Sequence, residues 1–522
     1  MKIRILLSGL IILTALTAYS QEKYWMPEDA PHVNVKDFGA TGDGVTDDTE
    51  AIKLAFERIQ NVWEIMYFPE GTYLISDEIF WKRFVVLWGE GPDKTIIRLK
   101  ANSPGYDDPE VSKAVLFCRV NKRNPGNNNT SHSNHIMNLS VEIESGNPGA
   151  IGIDFASHNG GGIENVVVRD LSNEALVGIS MIRDSPGPAL LEDIEVYGFN
   201  YGIETAYGLY STTLDHIHLE NQRDAGFRSN AHPVSIRDLL SINTVPAIKI
   251  TDNRDFGLFV LEDSELKGGT SDYAIESGGE LFIRNVSQEG YASFVKDGDK
   301  IIDGDTIIEY SSSPMLTYTA NEDTTSVDIE VPDEPQITWS ENSDDWVGVW
   351  EFRNLVVDSF YNETFNHWVY DWAPAIQAAI DAGKSHVYFR NLEHGNYHIN
   401  SDVIVRGAVK RILGNFAEMK NYDDPEDPDD NENSRVIFQN TQNVEVVLLR
   451  FEKGGALFNS TGKVILNRCL SSGTIETMPG TGDLFVNDWC CGNFRVNESN
   501  VYVKQLNNES PVTPKLKNNG GT

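Results

Sequence analysis

Six residues, Asp154, Ser180, Glu204, Arg228, Lys249 and Glu276, each follow an apolar residue that recurs at steps of 21 to 27 positions. Just past the same recurring segment come Ser157 and His158, Arg183, Tyr207 and Tyr210, His232, then Asn253 and Arg254. If the segments stack, these side chains form one wall holding acids, cations, imidazoles and phenols. Glu204 and Arg228 are natural ladder partners, but a ladder has no use for His158, Tyr207, Tyr210 and His232 beside it.

Two reactions fit such a wall. Elimination from a uronic acid needs a cation to neutralise the carboxylate and a base for the C5 proton. Arg228 and Lys249 suit the first task, Arg through its fork. His232 or Tyr207 suits the second, with Glu204 beside them. Asp154, His158, Arg183, Tyr210, His218 and Arg254 would bind substrate. Hydrolysis needs two carboxyls, about 5–5.5 Å apart for retention or 6.5–9.5 Å for inversion. Asp154 and Glu204, two strand spacings apart, stand roughly 9.6 Å from one another, at the limit for inversion. Elimination is the expected chemistry and hydrolysis the alternative.

The elements that must position these groups follow from the repeat. Ile153, Ile179, Ile203, Phe227, Ile248 and Ile275 align, in coils of short alternating strands and Gly/Asn/Asp turns too short for strand–helix–strand units. Stacked parallel strands, with the aligned apolar residues inside, are a parallel β-helix. In "LDHIHLENQ", His216 falls in a column with Asn165, Asp193, Asp238 and Asn285, a turn-stacking position, whereas His218 points outward with Glu220.

Upstream, "VNVKDFGATGDGVTDDTEAI" (33–52) packs acids around glycines, but not at EF-hand spacing. Asp47 reads as N-cap with Glu50 closing a capping box. Ala51, Ile52, Ala55, Phe56 and Ile59 then form a helical stripe suited to closing the cylinder's open end. The order restarts at "DWAPAIQAAIDAGKSHVYFRNLEHGNYHI" (371–399), and later coils read "VEVVLLRF", "GKVILNRCL" and "DLFVNDWCC". The expected fold is all-β: two tandem right-handed parallel β-helices, each begun by a capping α-helix. The expected division is 1–20 signal peptide, 21–300 first β-helix, 301–345 polar connector and 346–522 second, shorter β-helix. The closing "KLKNNGGT" shows no capping helix, so the last coil is covered by another segment or the chain continues.

The basic, apolar and small-residue start "MKIRILLSGLIILTALTAYSQ" reads as an export signal, and the expected location is secreted or periplasmic. No later window could span a membrane. A formal charge of −36 argues against nucleic acid, and any anionic ligand would need a local basic patch. Four cysteines do not make the fold: Cys118 reads as a buried apolar residue, and Cys469 could bridge to the Cys490–Cys491 pair. No spacing suggests zinc. No cofactor is expected, although "DDPEDPDDNEN" (423–433) carries calcium-competent oxygens in what reads as a solvated loop. Trp346, Trp350, Trp368 and Trp372 suit interface packing or sugar stacking.

The stretch 33–52 followed by "YFPEGTY" resembles the N-terminal signature of the pectate-lyase-like β-helix superfamily, which includes polygalacturonases, tailspikes and exo-β-1,3-glucanases. The restart and the C-terminal coils look closest to the tandem β-helix glucanases of glycoside hydrolase family fifty-five. The resemblance implies the fold and a polysaccharide or oligosaccharide partner. The polygalacturonase catalytic set is absent, and no glucanase catalytic residue can be matched by position. A non-catalytic glycan-binding protein is the rival reading, since the fold serves that purpose too.

Overall fold

The computed structural model describes residues 22–30, 32–59, 63–118, 131–251, 257–270, 272–314, 331–362, 367–390, 392, 396–421, 434–508 and 515–520. The N-terminal apolar run, Arg254 and the acidic run 423–433 lie outside them.

Two parallel β-helices follow one another. In the first, one sheet path runs from Val33–Asn34 through Gly162–Asp170, Ala189–Tyr197 and Thr212–Glu220 to Thr306–Ser311. A second sheet runs from Ile79–Trp81 through Ala150–Asp154, Val177–Met181, Tyr201–Ala206, Ala225–Asn230 and Ile248–Thr251 to Lys300–Ile302. The expected alignment holds residue for residue. Ile153 pairs with Ile179, then Ile203, Phe227, Ile248 and Ile275 in unbroken parallel register, and all six are fully buried. A one-residue slip would turn every one of them to solvent, so burial pins the register.

The turn column is equally regular. Asn165, Asp193, His216, Asp238 and Asn285 all have φ between 51° and 55°, joined by Asn138 and Asp263. Only Gly, Asn and Asp enter this left-handed region readily, and Asn165 donates through Nδ2 to Asn138 Oδ1 at 2.8 Å. His216 therefore holds a structural place in the turn.

Helix α1 (Thr49–Arg58) lies over the start of this cylinder with Ile52 and Ala55 fully buried and Ala51, Phe56 and Ile59 packed against the core. Its cap differs from the expected box. The N-cap is Asp48, which makes no capping bond. Its carboxylate instead accepts from Thr41 N at 2.7 Å and Gly42 N at 3.0 Å, tying down the glycine turn. Asp47 Oδ1 accepts from Thr49 N at 3.1 Å. The aspartates satisfy backbone donors, which is why the stretch holds so many of them.

At its far end the first cylinder stops being parallel: Thr306–Ser311 runs antiparallel along Glu280–Glu289, and Lys300–Ile302 antiparallel along Ser293–Asp297. The second β-helix has sheets of seven, eight and six strands between Trp346–Gly348 and Leu516–Asn518. Helix α2 (Ala373–Asp381) buries Ala375, Ile376, Ala379 and Ile380 over its start.

A separate apolar cluster joins the two cylinders, with Tyr67, Trp88 and Met137 from the first and Trp346, Tyr388, Leu413 and Phe416 from the second. Trp346 is thus an interface residue, and Trp350 stacks on the buried Trp372 at 5.9 Å. Trp368 is 54% exposed. The bridge open to Cys469 does not form: Cys469 is buried in the second core, and none of the four cysteines is in a disulfide. Cys490 and Cys491 bring their sulfurs to 3.1 Å of each other instead. No helix among the described residues is long and apolar enough to cross a membrane.

Candidate functional site

The expected wall exists. Asp154, Ser180, Glu204, Arg228, Lys249 and Glu276 occupy one row of the second sheet, rung by rung. Most of its charges are paired, within the row or with neighbours beside it. Arg183 donates through Nε to Asp154 Oδ1 at 2.6 Å and through Nη2 to the Cys118 carbonyl at 2.7 Å. Arg228 Nη2 lies 3.0 Å from Glu204 Oε2, and its guanidinium covers the Tyr201 ring at 4.3 Å. Ser180 donates to the other Glu204 oxygen at 2.7 Å. Lys249 pairs with Asp224.

This pairing tells against the wall's cations as free neutralisers for elimination. A neutralising cation must be open to the substrate carboxylate, yet Arg228 and Lys249 are already neutralised by Glu204 and Asp224. His232 is no better placed as the base. It is fully buried, its Nδ1 lies 2.6 Å from the Tyr207 carbonyl, and its Nε2 lies 2.9 Å from Thr212 Oγ1. Burial pulls its pKa down to about 4. Tyr207 pairs with Asp184, which pushes the phenol up and away from service as a base near neutrality. Asp154 is raised by burial, with Arg183 opposing and Glu204 adding to the rise.

His158 and Tyr210 do come together, with His158 Nε2 3.4 Å from the Tyr210 hydroxyl. His158 Nδ1 also lies 3.2 Å from Nδ1 of His132, a residue the repeat does not reveal. His218 is elsewhere. It belongs to the other sheet, 3.2 Å from Glu220 and edge-on to Tyr197.

A second group of acids forms where the cylinders meet. Glu418 and Arg450 are parallel partners on neighbouring coils of the second β-helix. Arg450 reaches Glu418 Oε2 at 3.3 Å through Nη1 and Glu452 Oε1 at 3.2 Å through Nη2. Ser472 donates to the other Glu452 oxygen. The guanidinium lies over Trp63 of the first β-helix at 4.8 Å, and Trp63 packs on Phe416 at 4.7 Å. The side chains of Glu418, Arg450 and Glu452 keep 17%, 23% and 16% of their surface, so water reaches them. Burial raises Glu418, against the pull of Arg450. One guanidinium thus holds two carboxyls from neighbouring coils, the pair of groups that glycoside hydrolysis requires. The available signal was "RFE" at 450–452, two charges flanking an inward Phe451.

Deeper in the junction, Glu192 and Asp215 of the first β-helix and Glu334 surround the ammonium of Lys504. Among the described residues only Glu192, Asp215 and His216 gather metal-type ligand atoms, all within 4.8 Å of one another. The Lys504 ammonium, paired with Glu192 and 2.9 Å from Asp215, already supplies the positive charge there. Beside it, Arg468 donates through Nε to Glu164 at 2.8 Å and lies 3.7 Å from the buried Asp488.

Residues 32–255, most of the first β-helix, match the model of the rhamnogalacturonase A/epimerase, pectate lyase-like family. A probable glucan endo-1,3-beta-glucosidase of Arthroderma benhamiae is 23% identical over 308 residues, covering 53% of this chain and 34% of that protein. Alginate lyase 7 of Azotobacter vinelandii is 42% identical over 74 residues, 13% of this chain and 9% of that one. The chain spans about a third or less of the length of these curated relatives. Among solved structures, the catalytic unit of a GH87 alpha-1,3-glucanase from Streptomyces thermodiastaticus is 11% identical, with TM-score 0.35, over 95% of this chain and 71% of that one. The A-module of the Azotobacter vinelandii mannuronan C-5 epimerase AlgE6 is 12% identical, with TM-score 0.34, over 94% of this chain and 98% of that one.

Proposed function

We propose that the protein is an exported glycan hydrolase whose chemistry lies in the crevice between its two β-helices, on Glu418 and Glu452. The observation that carries this reading is the pair of carboxyls bridged by Arg450, one of them held toward its neutral form by burial. Acid and base assignments follow from carboxyls whose surroundings differ. Glu418 is the proton donor to the glycosidic oxygen, and Glu452, held by Arg450 and Ser472, draws the proton from the attacking water. Arg450, seated on Trp63, fixes the gap between them.

The similarity to a glucan endo-1,3-beta-glucosidase supports hydrolysis of a glucan, and the apolar N-terminal run supports export. The test is incubation with β-1,3-glucan, polygalacturonate and alginate, following reducing ends and ultraviolet absorbance together. Reducing ends without new absorbance, lost in Glu418→Gln, support the proposal. New absorbance marks elimination and overturns it, as does full activity of Glu418→Gln.

A further inference from the structure

Six rings line one corner of the first β-helix in sequence. Starting beside the carboxyl pair, Trp63 packs on Phe84 at 4.3 Å between centroids, Phe84 on His132 at 5.7 Å, and His132 on His158 at 4.8 Å. Tyr210 follows at 5.4 Å and Tyr207 at 6.5 Å, the last two nearly parallel at 15°. The row climbs one coil at a time from Trp63 to His158, skips the coil of Val177–Met181, and ends on two rings of a single loop, Tyr207 and Tyr210. The row leads from Arg450, over Trp63, to a loop where Leu209 is 71% exposed.

Core packing accounts for Trp63, which lies against the cluster joining the two cylinders, but not for the other aromatic rings of the row. Phe84, Tyr207 and Tyr210 belong to none of the apolar clusters that fill the cylinders or join them. Nor does turn geometry. Trp63, Phe84 and Tyr207 have φ of 58°, 61° and 100°, a region bulky side chains avoid. At the opposite corner the same cylinder meets that demand with Asn and Asp, apart from His216. Phe199 and Phe416 take the same backbone state inside apolar clusters, whereas Phe84 and Tyr207 take it at a partly exposed surface outside every such cluster.

We propose that the row is a binding track for the interior of a pyranose polysaccharide. The chain would lie along the rings with its C–H faces against them, its hydroxyls meeting His158, the Tyr210 hydroxyl and Asp184 beside Tyr207. Rings present flat apolar faces together with polar edges, which is the surface a sugar ring complements. The track makes the protein a reader of long chains, with several sugar units held on one side of the cleavage point. It rests on the hydrolase reading for its direction, but not for its existence.

The experiment is affinity electrophoresis of the full chain in gels containing soluble β-1,3-glucan, polygalacturonate or alginate. Wild type and Glu418→Gln are expected to be retarded equally by one of these polymers. Tyr207→Asn combined with Tyr210→Ala is expected to weaken retardation about tenfold, and Tyr207→Asn with Tyr210→Phe to recover most of it. Asn at 207 keeps the left-handed backbone accessible. Absence of retardation on all three polymers overturns the track, as does retardation unchanged in the double variant. Because Glu418→Gln is scored for binding and not for turnover, failure of the catalytic assignment leaves this result readable.

Discussion

Lys504, from the last strands of the second β-helix, ion-pairs with Glu192, which lies 312 residues earlier on the first. The same ammonium stands 2.9 Å from Asp215 and 2.8 Å from Glu334. The lysine is enclosed, so removing it takes away the cation that Glu192 and Glu334 share, while Asp215 keeps Arg237 at 2.8 Å. Breaking a buried pair on one side costs about 3–5 kcal/mol. Lys504→Met is therefore expected to lower the unfolding midpoint by that amount in denaturant titration, and Glu192→Gln added to it to restore part of the loss. Additive losses would show that the two side chains are not coupled.

The buried acids at the junction also set a pH dependence. Burial pushes Glu192 up to about 8 from 4.5 and Asp488 up to about 7 from 3.8. In the folded chain both hold their protons to higher pH than the unfolded chain does, against the pull of Lys504 on Glu192 and of Arg468 on Asp488. Their contribution is complete below the unfolded values and is lost as pH rises through about 7 and 8. Each can cost up to about 1.4 kcal/mol per pH unit within that window. Lys504, also raised, keeps its proton throughout. Thermal midpoints are expected to fall between pH 5 and pH 8.5, less steeply in Glu192→Gln. An equal slope in that variant would remove Glu192 as a cause.

At the carboxyl pair, loss of a general acid or base typically costs 10²–10⁴-fold. Glu418→Gln and Glu452→Gln are each expected to lower kcat on the active polymer by about 100-fold or more with little change in melting temperature. Changes below about tenfold in both would place the chemistry elsewhere.

Arg228 is expected to matter for stability and not for turnover. Its removal strands the enclosed Glu204, at a cost of about 2 kcal/mol. Arg228→Ala should lower the unfolding midpoint, while kcat/KM on the active polymer stays within about twofold of wild type. A large loss of activity would return the wall to candidacy.

At the turn column, His216→Asn should change stability by less than about 0.5 kcal/mol, because Asn tolerates φ near 54°. His216→Ile should cost about 1–2 kcal/mol, since a branched side chain clashes there. Equal effects in chemical denaturation would mean that backbone conformation is not what the column selects.

What a repeat writes along the chain was legible: the buried row from Ile153 to Ile275, the lid residues Ile52 and Ala55, and the turn place of His216. What arises between distant coils was not. Arg228 and Glu204 were readable as ladder neighbours, but Asp224, which takes Lys249, lies off the aligned row. His232 sits close in sequence to the wall yet turns inward onto Thr212 and the Tyr207 carbonyl. Glu418 and Glu452 come from strands of three or four residues, too short for alternation to stand out, and their neighbour Trp63 belongs to the other cylinder. Lys504 and Glu192 have no shared period to betray them.

The antiparallel return of Thr306–Ser311 along Glu280–Glu289 has a consequence for how such molecules behave in a crowd. A stack of parallel rungs offers its terminal rung as a template to any passing extended segment. Here the reversed strand occupies that template, and α1 blocks the opposite mouth. Accretion onto the far pole of the first cylinder would have to begin on a short reversed strand and not on a parallel rung.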